Sequence, residues 1–426
     1  MRFLFCSLGT PGFLYPSIAL ARAIEARGHE VAFVTAMGAA SLLEEHGLKR
    51  LPRGPKDGES FQVENWWLAP AVSLQARHIE HALTLFSPDA LVGQMLTLGG
   101  HIMAERAQIP VAVLGQAAYL WPSWEGEWPQ EEGVATNGSV GTLGPCSGVR
   151  STRVRSTAEE RMSWRYQEMA TWYQRARERL GLPEIVAHPR ETPLLGDLFL
   201  LRSVPELEGD LSALPSRVHA IGACLWEPAE APADIVDWLE RAHAEHLPVI
   251  YVQHGRSFDQ PGFWTALVEA LRHEPLRVIA SVGRMDAEMG DIPDNFLVRP
   301  HVPQALALRH AQAVIASGNS TVALGALTSG LPSLHIPGGS EQPDVAERCA
   351  AAGASLLLPP AHLSPEALRN ALRTLLADPA PRASAHALQR AFAKHADLAH
   401  ACACLERLAV TRAPVLRGHL AHDALT

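Results

Sequence analysis

Short apolar runs alternate with amphipathic helical patterns along most of this chain, and they do so in two blocks. Residues 2–8 form an apolar run of strand length, and residues 16–27 then place Ile18, Leu20, Ala21, Ala23 and Ile24 on one side of a helix. Gly28-His29 stops that helix, and residues 30–35 form the next strand. Two such strands joined through a helix need a crossover, and therefore a parallel sheet. Segments 39–46, 48–51, 89–92, 99–107 and 110–114 continue the alternation. The second block follows the Pro-rich linker near 205–232 and is more regular. Its expected strands are 249–253, 277–281, 297–299, 313–316, 333–336 and 354–358, with helices 261–273, 304–310, 322–329, 343–352 and 364–377. A chain of 426 residues suits two domains. The expectation is α/β: two Rossmann-like parallel-sheet domains, 1–222 and 223–404, with 405–426 packing back toward the first. A crevice between two such sheets, at the carboxyl ends of their strands, is where α/β ligands bind.

Composition excludes several functions. The net charge is −9 and no basic run offsets it, which argues against a nucleic-acid partner. The six cysteines are scattered, as in a reduced chain, and Cys402-Ala-Cys404 is the only close pair. Without a second pair or histidines at ligand spacing it reads as helix core, and no metal is expected. No apolar run reaches the ~18 residues of a membrane span. The opening MRFLFCSL breaks at Gly9-Thr-Pro-Gly12, too early for a secretory leader, so a cytoplasmic protein is expected.

The sharpest chemical signal is Ser317-Gly318-Asn319-Ser320-Thr321, set between an expected strand and helix. Backbone amides at a helix N-terminus, with hydroxyls beside them, bind phosphate oxygens, although the same residues serve as ordinary caps. His301-Val302-Pro303-Gln304 precedes this turn, and Gly330-Leu331-Pro332 and Glu341-Gln342 follow it. With Ser281-Val-Gly-Arg284 and Ile292-Pro-Asp-Asn295, this order and spacing resembles the nucleotide-sugar signature of the GT-B fold UDP-glycosyltransferases, especially the bacterial natural-product type.

The resemblance implies roles. His301 matches an aromatic that stacks on the nucleobase, Val302 a backbone partner of the base edge, and Gln304 a residue near the ribose. Ser317, Gly318, Asn319, Ser320 and Thr321 match the diphosphate cradle. Glu341 and Gln342 match a pair that bonds sugar hydroxyls. Arg256 and Ser257 are further donor-side candidates. Phe13, Trp66, Trp67, Tyr119, Trp121 and Trp124 are candidates for the acceptor wall, with plain core packing the alternative for each.

Three departures stand out. The turn begins with Ser317 where the family usually has His. Gly325 stands where a ribose-holding Glu is common. The family's base, a His in the first loop, is replaced by Phe13, and its Asp partner by Gln94. Restoring that dyad would take Phe13→His together with Gln94→Asp. Candidate replacement bases are His78 and His81, on one helix at i, i+3, and His101. Otherwise the acceptor ionises unaided.

The chain has no Asp-x-Asp to hold a bridging cation. The expectation is therefore an inverting, metal-independent glycosyltransferase without a resident cofactor. It would use a UDP- or dTDP-sugar and a hydrophobic acceptor; a homodimer stays open. Alternatives are a GT-B sugar epimerase and a catalytically silent relative that binds nucleotide or product.

Overall fold

The apolar runs at 2–8, 30–35, 89–92 and 110–114 become strands of one parallel sheet, because the chain crosses over through a helix before the next strand begins. The computed structural model describes residues 1–51, 60–123, 157–254, 260–283 and 289–418. In chain order the first block is β1 (Arg2–Cys6), α1 (Pro11–Glu25), β2 (Glu30–Val34), α2 (Ala40–Glu45), α3 (Ala69–Phe86), β3 (Ala90–Gln94), α4 (Leu98–Ala107), β4 (Val111–Leu114), α5 (Ala158–Arg179), β5 (Leu198–Leu201), α6 (Pro205–Glu208) and β6 (Val218–Ala220). The strands lie in the order β2-β1-β3-β4-β5-β6, all parallel.

After α7 (Ala233–Ala244) the second block runs β7 (Val249–Gln253), α8 (Phe263–Leu271), β8 (Arg277–Ser281), β9 (Phe296–Arg299), α9 (Gln304–His310), β10 (Ala311–Ala316), α10 (Ser320–Thr328), β11 (Ser333–His335), α11 (Gln342–Ala351) and β12 (Ser355–Leu357). Its order is β12-β11-β10-β7-β8-β9, again parallel. The order reverses between β1 and β3 in one sheet and between β10 and β7 in the other. Such switch points open crevices at the strands' carboxyl ends. The 317–319 turn leaves β10 at one of them, and Gln94 ends β3 at the other.

Several sequence expectations shift. Helix α1 begins at Pro11, not at residue 16. Pro11 takes the first-turn position where its missing N–H costs nothing, and Pro16 is carried inside the helix. Residues 48–51 make only an isolated bridge, Phe33 to Arg50. The segments 52–80 and 115–195, where Trp and Tyr concentrate in the sequence, hold regular helices, α3 and the 22-residue α5, whose N-terminus is a full capping box between Thr157 and Glu160.

The chain closes with α12 (Pro365–Ala377), α13 (Pro379–Ala393) and α14 (Ala399–Thr411). Helix α14 packs in one core with Phe3, Phe5, Ile18 and Leu198. The return to the first domain therefore starts at Ala399, before residue 405. Among the described residues, no helix is long and apolar enough to cross a membrane.

Helix α14 is pinned to the α1–β2 turn by Glu406. Arg27 donates to its two carboxylate oxygens at 2.7 and 2.8 Å, and His29 Nε2 lies 2.9 Å from one of them. The Arg27 hydrogen bonds, helped by His29, hold the Glu406 carboxyl down to about 2 from an ordinary 4.5. A depressed carboxyl pKa stabilises the fold above the unfolded value and loses that contribution as pH falls through the folded one. Wild-type stability should therefore decline between about pH 4.5 and pH 2, and Glu406→Gln should flatten that part of the profile. Equal slopes for the two proteins in chemical denaturation would show that the pair contributes nothing.

Candidate active site

Two helix N-termini face each other across the crevice. A Cβ on Gly12, in the first turn of α1, would lie 3.9 Å from Thr321 Oγ1, in the first turn of α10. Neither first turn carries an acidic residue. The dipoles of both helices favour an anion near these ends, although several first-turn amides are already engaged: Phe13 and Leu14 N–H donate to the Thr10 carbonyl at 2.9 and 2.8 Å. Asn319 caps α10, its side chain accepting from Val322 N–H at 3.1 Å. Ser320 Oγ accepts from Ala117 N–H of the first domain at 3.2 Å, so that hydroxyl is already shared between domains. The Thr10 hydroxyl beside α1 is buried without a partner among the described residues.

Gly318 has φ +83°, and a Cβ there would meet the Gln342 carbonyl at 2.7 Å. That close approach sets the first turn of α11 beside the first turn of α10. Glu341 Oε1 then reaches Ser320 N–H at 3.5 Å. Gln342 is buried, and its Oε1 accepts from Gly338 N–H at 2.8 Å and Gly339 N–H at 3.3 Å. Only its NH2 remains for a ligand. Ser317 is fully buried, and the Asn319 amide donates to its hydroxyl at 3.4 Å.

His301 is exposed and free to stack on a planar group, whereas the Val302 N–H is engaged by Ser281 Oγ at 3.3 Å. Gln304 donates to the Thr321 carbonyl at 3.2 Å, and a Cβ at Gly325 would sit 2.1 Å from its Nε2. The space that a side chain at 325 would need is thus filled by Gln304. Arg256, Ser257 and Trp124 lie outside the described residues.

The dyad positions do meet. Gln94 is 2% exposed, and its Nε2 donates to the Phe13 carbonyl at 2.6 Å and to the Ser7 and Ser17 hydroxyls, both at 2.9 Å. Its Oε1 accepts from Leu8 N–H at 3.0 Å. A carbonyl on one side and an N–H on the other require an amide. A carboxylate cannot donate to Phe13, so Gln94→Asp would not simply restore a dyad. Phe13 itself is half-buried.

The replacement bases fare poorly. His78 is buried with Nδ1 2.8 Å from Ser60 Oγ, while His81 is exposed, so the two do not share a face. His101 is 3% exposed, and burial pushes it down to about 4, with the carbonyls of Gln94 and Pro193 partly opposing. It is neutral at pH 7 and a weak base. Tyr119 and Trp121 are core residues packed around Phe199, at 5.9 and 5.8 Å between ring centroids, not an open acceptor wall. Trp66 and Trp67 are half-buried, Trp67 edge-on to Trp172 at 4.8 Å.

Sequence reasoning missed the charged seam that joins the domains. Asp344, its side chain 1% exposed, accepts from Arg161 at 3.0 Å and Arg165 at 2.9 Å, both on α5. Arg165 also donates to the carbonyls of Leu120 and Ser340, at 3.0 and 2.8 Å. Arg348 pairs with Glu208 at 2.8 Å and donates to the Tyr119 carbonyl at 3.1 Å. The signal was Arg161 and Arg165 one helical turn apart on a capped helix, but their partner lies 179 or more residues away.

Comparison with known proteins agrees with this architecture. Residues 3–119 match the glycosyltransferase family 28 N-terminal domain, and residues 268–402 match the erythromycin biosynthesis protein CIII-like C-terminal domain. The 4'-demethylrebeccamycin synthase of Lentzea aerocolonigenes is 26% identical over 92% of this chain and 96% of that protein. The O-mycaminosyltylonolide 6-deoxyallosyltransferase of Streptomyces fradiae is 25% identical over 97% of this chain and 98% of its own length. Among solved structures, glycosyltransferase VinC in complex with DTDP is 21% identical, with TM-score 0.68 over 96% of this chain and all of that one, a likeness of fold.

Gln94 offers a direct check on the site's scaffold. Gln94→Ala strands the buried Leu8 N–H, at ~1–3 kcal/mol for such an orphaned group, while the Phe13 carbonyl keeps the Ser17 hydroxyl at 3.1 Å. A loss in that range is expected in denaturant unfolding. Wild-type stability in the variant would show that these contacts do not hold the first turn of α1.

Proposed function

We propose that this chain, a GT-B glycosyltransferase of the bacterial natural-product kind, moves a sugar from a UDP- or dTDP-sugar to a hydrophobic acceptor with inversion at the anomeric carbon. The observation that carries this reading is the pair of opposed helix N-termini, α1 and α10, with Glu341 and Gln342 beside them. The diphosphate belongs at the amides of residues 318–321 and the nucleobase on exposed His301. The sugar hydroxyls belong near the Glu341 carboxylate and the Gln342 NH2. The DTDP complex of VinC supports a nucleotide-sugar donor.

In the proposed reaction the acceptor atom attacks the anomeric carbon from the side opposite the diphosphate. The bond from that carbon to the diphosphate oxygen breaks, and the oxygen keeps the electron pair. Its new charge falls on the two helix N-termini, an electrostatic role that needs no bridging cation. The acceptor's proton leaves to solvent, before or during attack. A half-buried Phe13 takes no proton, Gln94 is consumed by backbone contacts, and His78 is engaged with Ser60. These placements favour an acceptor that ionises on its own, as a carboxylate or an acidic phenol does. A silent relative would share these placements and predicts no turnover with any acceptor, so turnover is what separates the two readings.

The test is incubation with UDP- and dTDP-sugars and paired acceptors of different acidity, following free nucleotide and product mass. The rate should rise with pH through each acceptor's own pKa, and chelation by EDTA should leave it unchanged. A rate that ignores acceptor acidity, or that is lost with EDTA and restored by Mg²⁺ or Mn²⁺, would contradict the reading. No nucleotide release with any pair would favour the silent relative.

A further inference from the structure

At the β6 edge of the first sheet, three side chains with metal-binding atoms converge. His219 lies on β6, and His400 and Cys404 lie one turn apart on α14. His219 Nδ1 is 3.3 Å from His400 Nε2, and Cys404 Sγ is 3.5 Å from the first and 3.7 Å from the second. A tetrahedral zinc ion takes nitrogen at ~2.0–2.1 Å and thiolate sulfur at ~2.3 Å, which separates its ligand atoms by about 3.3 Å for N···N and about 3.6 Å for N···S. The three observed separations follow that pattern.

The surroundings set the tautomer as well. His219 Nε2 lies 3.0 Å from the Val415 carbonyl. A carbonyl only accepts, so this nitrogen carries the proton and Nδ1 turns its lone pair toward the other two groups. Ligating histidines are usually oriented by such a bond from their other nitrogen. His219 and Cys404 are buried, 2% and 0% exposed, while His400 is exposed and leaves a solvent side for a fourth ligand. Cys402 and Cys404 both sit in the hydrophobic core around α14, but only Cys404 brings its sulfur to this cluster.

We propose that His219, His400 and Cys404 bind a zinc-type divalent cation, with water as fourth ligand, and that the ion fastens α14 to β6. On binding, the Cys404 thiol loses its proton to solvent and its sulfur forms the bond to the metal. The site lies outside the crevice and takes no part in sugar transfer. The Cys-Ala-Cys pair alone gave no sign of it. The relevant spacing is His400 to Cys404, and the third ligand comes from 181 residues away.

The probe is Co²⁺ titrated into the full-length, reduced, metal-free protein, followed by Zn²⁺. One Co²⁺ per chain should give a thiolate-to-cobalt charge-transfer band with intense tetrahedral d–d absorption, and Zn²⁺ should displace it. The band should vanish in Cys404→Ser and persist in Cys402→Ala. His400→Ala, on an exposed side chain, should weaken binding by more than about tenfold, the upper range for loss of even a supporting contact being near a hundredfold. Zn²⁺ should raise the melting temperature of the wild type and not of His400→Ala. Absence of the charge-transfer band in the wild type, or its survival in Cys404→Ser, would overturn the proposal. The trio would then be a hydrogen-bonded cluster, and any bound metal would sit elsewhere.

Discussion

The second domain's site depends on one close approach, the 317–319 turn against the first turn of α11. Gly318 allows it, since a Cβ there would stand 2.7 Å from the Gln342 carbonyl. Because the two segments touch, the amides at the start of α10 and the side chains at the start of α11 address one volume. Gln342 adds to this by holding Gly338 and Gly339 through its Oε1. The first domain then grips the assembly from outside. Arg165 reaches Asp344 and the Ser340 carbonyl from α5, and Ser340 holds a left-handed φ of +56° just before Glu341. Moving Asp344 without its arginines would leave a buried charge uncompensated, a change that typically costs ~3–5 kcal/mol.

The second block was largely legible because most of its strands are buried on both faces and helices such as α7 and α8 bury one apolar stripe. Expected and observed bounds coincide for β8 (277–281) and α9 (304–310). The first block was less so, for local reasons. Pro16 looked like a helix start, but Pro11 already supplied one. Helix α5 is charged along much of its length and follows a Gly/Ser/Thr-rich stretch, so its capping box was the only strong sign of it. For Tyr119 and Trp121 the acceptor wall and plain core packing both stood open, and the structure shows core, because a sequence does not show which apolar side chains find a partner such as Phe199.

That the 317–321 turn, Glu341 and Gln342 would lie together was legible in motif order, since glycines and backbone amides act through local geometry that sequence encodes. What escaped was long-range: Asp344 with Arg161 and Arg165, Arg348 with Glu208, and the Gln304 amide filling the gap beside Gly325. The charged pairs join residues far apart in the chain and the Gln304–Gly325 contact joins two separate helices, and each settles a question about a single residue only when both partners are known. Gln94 is the sharpest case. As a letter it looked like a lost catalytic partner; in place it is an amide that both donates and accepts, joining β1, β3 and α1.

The central claim is that a nucleoside diphosphate binds between the starts of α1 and α10. Calorimetric titration of UDP and dTDP into the wild type, Thr321→Val and Phe13→Ala tests it most directly. One site per chain is predicted, weakened by ~1.5–3 kcal/mol when the Thr321 hydroxyl no longer meets a charged oxygen, and changed little by Phe13→Ala. Unaltered affinity in Thr321→Val, or no binding of either nucleotide to the wild type, would contradict the account.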